Sequence, residues 1–414
     1  MQQRHTMSGP ALTSAGAAGH LQLPHPVVLI AFALCVAQAV YVPAAYGFGH
    51  WLYDSSGYSE SDFVNVWAAG QLALHGFPAL VYDAIAHKQA QVAALGHAFA
   101  SSHPWYYPPT YLFVAVALAS LPYLVAWVGW SVLTLPIYLA VIRAIIGDRV
   151  GILLAGAFPA ILSNFLVGQN GFVTAGLLGA ALCCMQRRPW LAGCLLGLLS
   201  YKPHLGVLFP IVLLAAGHWR EFCAAAIVAA TLISASWLAF GLDTWEAFFH
   251  ALTAGSQAVF SQGSVAWGKL QTVYGIARWM GGSETMAWTL QAIVVALCAT
   301  ALCFLWRSRI PFALKAAALA TGALLSTPYL FLYDLVALAV PMAFLLRAGI
   351  ARGVATYEWV GLGLASLSIL LYPAFETPVG VLAVLIVAGL IARRVVDDLA
   401  THADPTEIAA ATAP

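Results

Sequence analysis

Residues 222–240 read FCAAAIVAATLISASWLAF, an apolar run without a charged side chain. A helix needs roughly 20 such residues to cross a membrane. Comparable runs recur along most of the chain, for example at residues 27–42. In hydrocarbon only helices and closed barrels satisfy every backbone polar group, and these runs lack the alternating pattern of barrel strands. They therefore predict an all-α, polytopic transmembrane helical bundle.

The composition supports a membrane protein. Only 8% of the 414 residues are charged and 62% are hydrophobic, whereas soluble domains carry about 25% charged residues. The net charge is +1 and no long basic run occurs, so nothing indicates binding to nucleic acid.

About twelve spans are predicted in one transmembrane domain, residues 26–394, between a disordered N-terminal tail (1–25) and a C-terminal tail (395–414). The spans are 26–48, 123–146, 151–167, 171–186, 189–202, 204–218, 220–241, 286–306, 310–327, 334–347, 354–372 and 378–393. A short or re-entrant helix is predicted at 110–122. This division places six groups of arginines on one side, at 143/149, 187/188, 220, 307/309, 347/352 and 393/394. By the positive-inside rule that side is the cytoplasm, and both termini lie in it.

The two long loops, 49–109 and 242–285, then face the extracytoplasmic side. In the first loop, Phe63, Val64, Trp67, Ala68 and Leu72 recur at helical spacing. This spacing predicts an amphipathic helix on the membrane surface, and a second such helix is expected at 82–100.

Asp62 precedes the first of these helices and is the candidate general base. A carboxylate near a helix end stays ionised and can accept a proton from a hydroxyl group. The alternative is that Asp62 only caps the helix. Glu60, two residues earlier, is the alternative base.

Between residues 189 and 214, Lys202 and His204 are the only members of the Lys, Arg, His, Asp and Glu set. Ionisable groups at such depth are usually functional, and this pair suits a phosphate group. Snorkelling of Lys202 to the interface is the alternative.

The remaining candidates for substrate binding also lie in outward-facing segments. Gln169 and Asn170 occupy a tight turn between two spans. They either line a sugar pocket or only form the turn, which an Asn-Gly sequence favours by itself. Lys269 and Arg278 lie near aromatic residues and either hold a phosphate or belong to an interfacial belt. Asp334 is a pocket carboxylate or a helix N-terminal charge, beside Tyr333. Tyr107 is a pocket residue or an aromatic anchor.

An ordered set of short motifs resembles glycosyltransferase family 87 over about residues 60–345. The motifs are Asp62-Phe63, Trp67-Ala68-Ala69-Gly70, Gly76, Tyr82-Asp83, Tyr107-Pro108-Pro109, Leu121-Pro122, Trp130, Gly168-Gln169-Asn170, Ala192-Gly193, Gly197, Lys202-Pro203, Thr272-Val273-Tyr274, Arg278, Pro328-Tyr329 and Tyr333-Asp334. Each motif is weak by itself, and their order and spacing carry the resemblance.

The resemblance implies a GT-C type fold in a bacterial inner membrane and an inverting transfer on the extracytoplasmic face. The donor would be a polyprenyl-phosphate-linked sugar, mannose-like or arabinose-like, and the acceptor a glycolipid or glycan. Asp62 would be the base, and Lys202 would bind the phosphate with help from His204 and Arg278. The Glu60-x-Asp62 pair departs from the single carboxylate expected.

No cofactor or metal is predicted, since the chain has no P-loop, no DxD pair and no His/Cys ligand cluster. The other function considered is a transporter or lipid flippase. Transporters are expected to show repeat symmetry between halves and helices broken near the midplane. One large loop after the first helix is an asymmetric arrangement and favours the transferase.

Overall fold

The computed structural model describes residues 21, 23–46, 53–54, 57–58, 60–101, 103–350 and 353–402. Most of the predicted tails, residues 1–20 and 403–414, lie outside this described part. Within it the predicted all-α class is confirmed, since almost every element is a helix. The one exception is a two-residue antiparallel pairing of Tyr53–Asp54 with Gly57–Tyr58.

The α-helices are α1 (His25–Tyr46), α2 (Phe63–Leu74), α3 (Ala84–Leu95), α4 (Leu112–Ala119), α5 (Tyr123–Ile146), α6 (Val150–Ala157), α7 (Ala160–Val167), α8 (Gly171–Cys184), α9 (Pro189–Leu198), α10 (Leu208–Ala215), α11 (Trp219–Phe240), α12 (Leu242–Ser256), α13 (Val273–Trp279), α14 (Glu284–Arg307), α15 (Phe312–Ser326), α16 (Ala339–Gly349), α17 (Thr356–Leu370), α18 (Tyr372–Phe375) and α19 (Val379–His402). Short 3₁₀ helices cover Pro78–Tyr82, Pro109–Tyr111, Leu199–Tyr201, Pro203–Leu205, Trp267–Lys269 and Leu332–Leu338, and a π-helical turn covers Gln257–Ser261.

The predicted count of about twelve spans is not confirmed. Among the described residues, five helices are long and apolar enough to cross a membrane, and a sixth follows if α6 and α7 form one span bent by 68°. Several other predicted spans are helices of only 8 to 15 residues, such as α8, α10 and α15. They are too short to cross alone, because roughly 20 residues are needed. The final helix continues to His402, beyond the predicted boundary at residue 394.

The two helices of the first loop differ from the predicted surface helices. α2 packs into the protein, where Phe63, Val64 and Ala68 are fully buried and Gly70 lies against the backbone of α4. The predicted helix at 82–100 is the shorter α3, which begins at the capping residue Asp83 and ends at Gly96. The surface position is not confirmed, because α2 buries both of its faces.

The long helices present apolar surface outward. Leu238 on α11 and Phe304 on α14 are 82% and 73% exposed. Apolar side chains so exposed, on helices whose charged residues lie only at the ends, match contact with hydrocarbon. Several long apolar helices and this outward surface identify a membrane protein.

Close packing of α9 on α11 depends on two glycines four residues apart. A Cβ at Gly193 would lie 2.6 Å from the Cβ of Ala224 and closer still to the carbonyl oxygen of Glu221. A Cβ at Gly197 would lie 2.7 Å from the carbonyl oxygen of Ala225. Small residues at this spacing allow membrane helices to approach closely.

We expect Gly193→Ala to destabilise the bundle by about 1–3 kcal/mol, because the new methyl group meets a rigid backbone. Gly129→Ala is the matched control, since no atom lies within 4 Å of a Cβ at that helical position. Thermal unfolding in detergent should give a lower Tm for Gly193→Ala alone. Equal Tm values for the two variants would contradict the packing described.

Candidate active site

A tight turn between α7 and α8 positions two amide side chains. Gly168 has φ of +66°, and a Cβ there would lie 2.5 Å from the indole nitrogen of Trp127. Glycine is therefore required for both conformation and space. The turn directs Gln169 and Asn170 into the protein, where they are buried.

A directional series of hydrogen bonds leads from this turn to Asp62. The Asn170 amide donates to the Tyr107 hydroxyl at 2.9 Å, and that hydroxyl donates to Gln169 Oε1 at 3.1 Å. Gln169 Nε2 then donates to Asp62 Oδ2 at 3.3 Å. The Tyr107 bond fixes which end of the Gln169 amide faces Asp62, so the carboxylate receives an N–H donor.

The phenol of Tyr107 remains protonated. Burial raises its pKa well above the ordinary value, and the neighbouring Tyr111 and Asp334 add to the effect. Its backbone is also held, because the Tyr82 hydroxyl donates to the Tyr107 carbonyl at 2.8 Å. Tyr107 is therefore a neutral, fixed donor.

Asp62 does not cap α2, although it occupies the N-cap position. Its side chain accepts no hydrogen bond from the helix backbone. The carboxylate instead faces Gln169 and His103, and its side chain is 29% exposed. The capping alternative is thus wrong, and the carboxylate is accessible.

His103 lies between two carboxylates, and sequence reasoning missed it. Its Nε2 is 3.0 Å from Glu60 Oε1 and its Nδ1 is 3.3 Å from Asp62 Oδ1. The hydroxyl of Ser101 also bonds to Glu60. Burial lowers the pKa of His103, but hydrogen bonds and charge from Asp62 and Glu60 outweigh it and raise the pKa overall. The only sequence signal was a histidine just before the Trp105–Pro109 aromatic motif.

Lys202 and Asp334 form a buried ion pair. Lys202 Nζ is 2.5 Å from Asp334 Oδ1, and each side chain is 3% exposed. The second oxygen of Asp334 accepts the Phe331 backbone N–H at 3.0 Å. Lys202 therefore does not snorkel to the interface. Asp334 acts both as a pocket carboxylate and as the N-terminal charge of its 3₁₀ helix.

A central cavity of about 390 Å³ adjoins this pair and the amide turn. Its polar lining consists of Asn65, Tyr106, Tyr107, Gln169, Tyr201, Lys202, His204, Ser256, Tyr329, Tyr333 and Asp334. Phe248, Leu252 and Phe260 supply part of its apolar wall. The cavity thus collects most of the candidate residues, and Asp62 joins it through Gln169.

Two candidates lie elsewhere, contrary to the sequence-based grouping. Lys269 is exposed, and the Arg278 guanidinium lies 4.6 Å over the Trp267 ring and donates to the Gly282 carbonyl. Neither lines the central cavity. Arg278 is held by its own segment, because its stacking and hydrogen-bond partners are close in sequence.

A second cavity, of about 320 Å³, contains none of the candidate residues. It is lined almost entirely by apolar side chains of α1, α5, α6, α16 and α17.

No group of three His, Cys, Asp or Glu side chains in the described ranges is arranged to hold a metal ion.

Comparison with known proteins gives one match. The family model of glycosyltransferase family 87 matches residues 105–328, more than half of the chain. The matched region contains Tyr107, Gln169, Asn170 and Lys202, whereas Asp62 and Asp334 lie outside it. No curated protein and no solved structure matches.

The raised pKa of His103 predicts a pH-dependent contribution to stability. A histidine whose folded pKa exceeds the unfolded value of about 6.5 stabilises the fold fully below that pH, and the effect disappears as pH rises through the folded pKa. We therefore expect the Tm of the wild type to fall more than that of His103→Gln between about pH 6 and pH 9. Parallel Tm profiles of the two proteins would contradict the pairing of a protonated His103 with Asp62 and Glu60.

Breaking the buried ion pair should destabilise the protein strongly. Lys202→Met leaves the Asp334 charge buried without its partner, which costs about 3–5 kcal/mol. The double variant Lys202→Met/Asp334→Asn removes that charge and should recover most of the loss. Thermal unfolding of both variants tests this, and a double variant no more stable than Lys202→Met would refute the pairing.

Proposed function

The chain belongs to glycosyltransferase family 87, and we propose that it transfers a sugar from a polyprenyl-phosphate donor to a hydroxyl group of a glycolipid or glycan. Family membership makes it a glycosyltransferase of the membrane. We further propose that the donor carries a mannose-like or arabinose-like sugar and that the protein has a GT-C type fold in a bacterial inner membrane. In this proposal both termini lie in the cytoplasm and the active site lies on the extracytoplasmic face.

One observation carries this proposal: a buried lysine lines the central cavity, and an accessible carboxylate is hydrogen-bonded to another residue of the same lining. Gln169, which lines the cavity, donates to Asp62, and Lys202 lines the same cavity. Transfer from a sugar phosphate by direct displacement needs a base for the nucleophile and a cation near the leaving phosphate. Asp62 and Lys202 supply these two groups.

In the proposed step, an acceptor hydroxyl oxygen attacks the anomeric carbon of the donor sugar. The bond from that carbon to the phosphate oxygen breaks, and the polyprenyl phosphate leaves with the electron pair. Asp62 takes the hydroxyl proton as the new glycosidic bond forms. Attack opposite the leaving group inverts the configuration at the anomeric carbon.

Lys202 retains capacity for the phosphate despite its bond to Asp334. An ammonium group has three N–H donors, and Asp334 Oδ1 occupies one of them. A negatively charged phosphate beside the pair would accept hydrogen bonds from the remaining N–H donors. It would then share the positive charge of Lys202 with Asp334. Asp334 thus holds the ammonium group in place at the cavity wall.

The two carboxylates near His103 have different roles in this proposal. His103 places one ring nitrogen toward Asp62 and the other toward Glu60. Glu60 fixes the orientation of the ring, and the ring in turn fixes the Asp62 carboxylate. Glu60 is therefore a positioning residue, which accounts for the second carboxylate in the Glu60-x-Asp62 pair.

The transporter or flippase alternative has no supporting observation. The family match is to a glycosyltransferase, and the candidate polar residues gather beside one cavity together with an accessible carboxylate. No second function is proposed.

Replacing the proposed base should abolish transfer without unfolding the protein. Asp62→Asn keeps the shape of the side chain and removes the proton acceptor, so we expect transfer to fall by about 10²–10⁴-fold. Glu60→Gln is the matched control, which should stay within about tenfold of the wild type. The measurement is sugar transfer from polyprenyl-phosphate mannose by purified protein of verified Tm.

The opposite pattern would assign the base to Glu60: Asp62→Asn retaining transfer while Glu60→Gln loses it. Full transfer by both variants would remove this carboxylate pair from the chemistry altogether.

A further inference from the structure

A smaller cavity, the loop cavity, lies next to the central cavity and has a volume of about 200 Å³. The two cavities share Pro104, Tyr106 and Gly255 as lining residues. Drug-sized ligands occupy pockets of roughly 300–1,000 Å³. The loop cavity therefore has room for a smaller, ring-sized group.

Helix α3 forms the polar wall of the loop cavity. His87 and Gln91 both line it and are 2% and 1% exposed. They are four residues apart and so share one face of the helix. Another part of the wall comes from α12 and the π-helical turn that follows it, which present alanines at positions 251, 254 and 258. Small residues on that side keep the space in front of α3 open.

The hydrogen bonds of Asn65 define the tautomer of His87. Asn65 Nδ2 donates to the Pro104 carbonyl at 3.2 Å, so Asn65 Oδ1 is the atom that faces His87 Nε2 at 2.7 Å. Nε2 must then carry the ring proton. Burial and, to a smaller extent, the positive charge of His103 lower the pKa of His87 to about 3, so the ring is neutral. Nδ1 is consequently an acceptor, and it has no protein partner.

Gln91 presents a second acceptor of the same kind. Its Nε2 donates to the His103 carbonyl at 2.6 Å. A flipped amide would place two oxygens against each other, so the observed orientation is fixed. Oε1 is buried and has no protein partner. Two buried acceptors on one helix face therefore retain the capacity to accept hydrogen bonds from hydroxyl or N–H donors.

The position of the loop cavity connects it to the proposed base. His103 lines this cavity and also contacts Asp62 at 3.3 Å. Asn65, which bonds to His87, lines the central cavity. The His103 side chain thus links the lining of the loop cavity to the Asp62 carboxylate, and Tyr106 belongs to the wall shared with the central cavity, which Lys202 lines.

We propose that the loop cavity binds one sugar ring of the acceptor, with His87 and Gln91 accepting hydrogen bonds from its hydroxyl groups. This assignment rests on the proposed transfer reaction. Sugar hydroxyls supply the donors that the two acceptors lack, and a single ring matches the size of the cavity. The acceptor then approaches Asp62 from the loop side, while the donor phosphate occupies the central cavity at Lys202.

The test uses saturation-transfer difference NMR with methyl α-D-mannopyranoside and the full-length protein in a detergent without a sugar headgroup. Gln91→Met removes the acceptor at nearly constant volume. Gln38→Met is the matched control, because Gln38 also donates to a backbone carbonyl, at Gly156, and also has a buried Oε1 without a partner. Gln38 lies on α1, outside both cavities.

We expect the wild type and Gln38→Met to give the same saturation signal, and Gln91→Met to bind about threefold to tenfold more weakly, as the loss of one hydrogen bond predicts. No signal in the wild type, or equal signals in all three proteins, would overturn the proposal and leave a cavity that holds only water.

Consumption of polyprenyl-phosphate mannose, measured on the same samples, separates this inference from the proposed function. Gln38→Met should consume donor at the wild-type rate, because Gln38 lines neither cavity. A wild-type protein that binds the glycoside through Gln91 but consumes no donor would overturn the assignment of the ring as an acceptor.

Discussion

The arrangement of the central cavity depends on one constraint: a lysine charge inside an apolar bundle requires a partner. Lys202 is 3% exposed, and its only close carboxylate among the described residues is that of Asp334, at 2.5 Å. The two residues lie on short irregular segments, at the junction of two 3₁₀ helices and within Leu332–Leu338. Such backbone is tolerated at membrane depth where it lines a cavity or is enclosed by protein. Pairing of the charges thus brings together the segments that form one wall of the cavity.

The carboxylates of the site are separated by environment. Asp334 is buried and receives both an ammonium group and a backbone N–H, so it is committed to structure. Asp62 is 29% exposed and receives only a 3.3 Å amide bond and the His103 ring. Environments that differ in this way assign different chemical roles to groups of the same type. In the proposed reaction, Asp62 remains free to take a proton while Asp334 keeps the cation in place.

Helix positions could be predicted from the sequence because their ends carry local signals. The predicted 123–146 span is α5 with the same ends, and 220–241 is shifted by one residue from α11. Pro122 and Gly147 mark the ends of the first, and Gly241 marks the end of the second. The number of crossings could not be predicted, because a periodic apolar pattern does not reveal whether a short helix crosses or stops inside the protein.

The candidate site was only partly predictable, because its contacts join distant segments. Glu60 and His103 are 43 residues apart, and Asp62 and Gln169 are 107 residues apart. No local pattern marks His103 as the group between two carboxylates. The same limit explains the misplacement of Lys269 and Arg278: their aromatic neighbours suggested a phosphate site, but the cation stacks within its own segment.

The central claim is that one cavity holds the donor phosphate at Lys202 and the reacting carbon near Asp62. The most direct measurement is a cryo-EM structure of the protein with a bound, non-hydrolysable polyprenyl-phosphate sugar analogue. The account predicts phosphate density within hydrogen-bonding distance of Lys202 Nζ and the sugar directed toward Asp62. Phosphate bound instead at Lys269 and Arg278, with the central cavity unfilled, would contradict it.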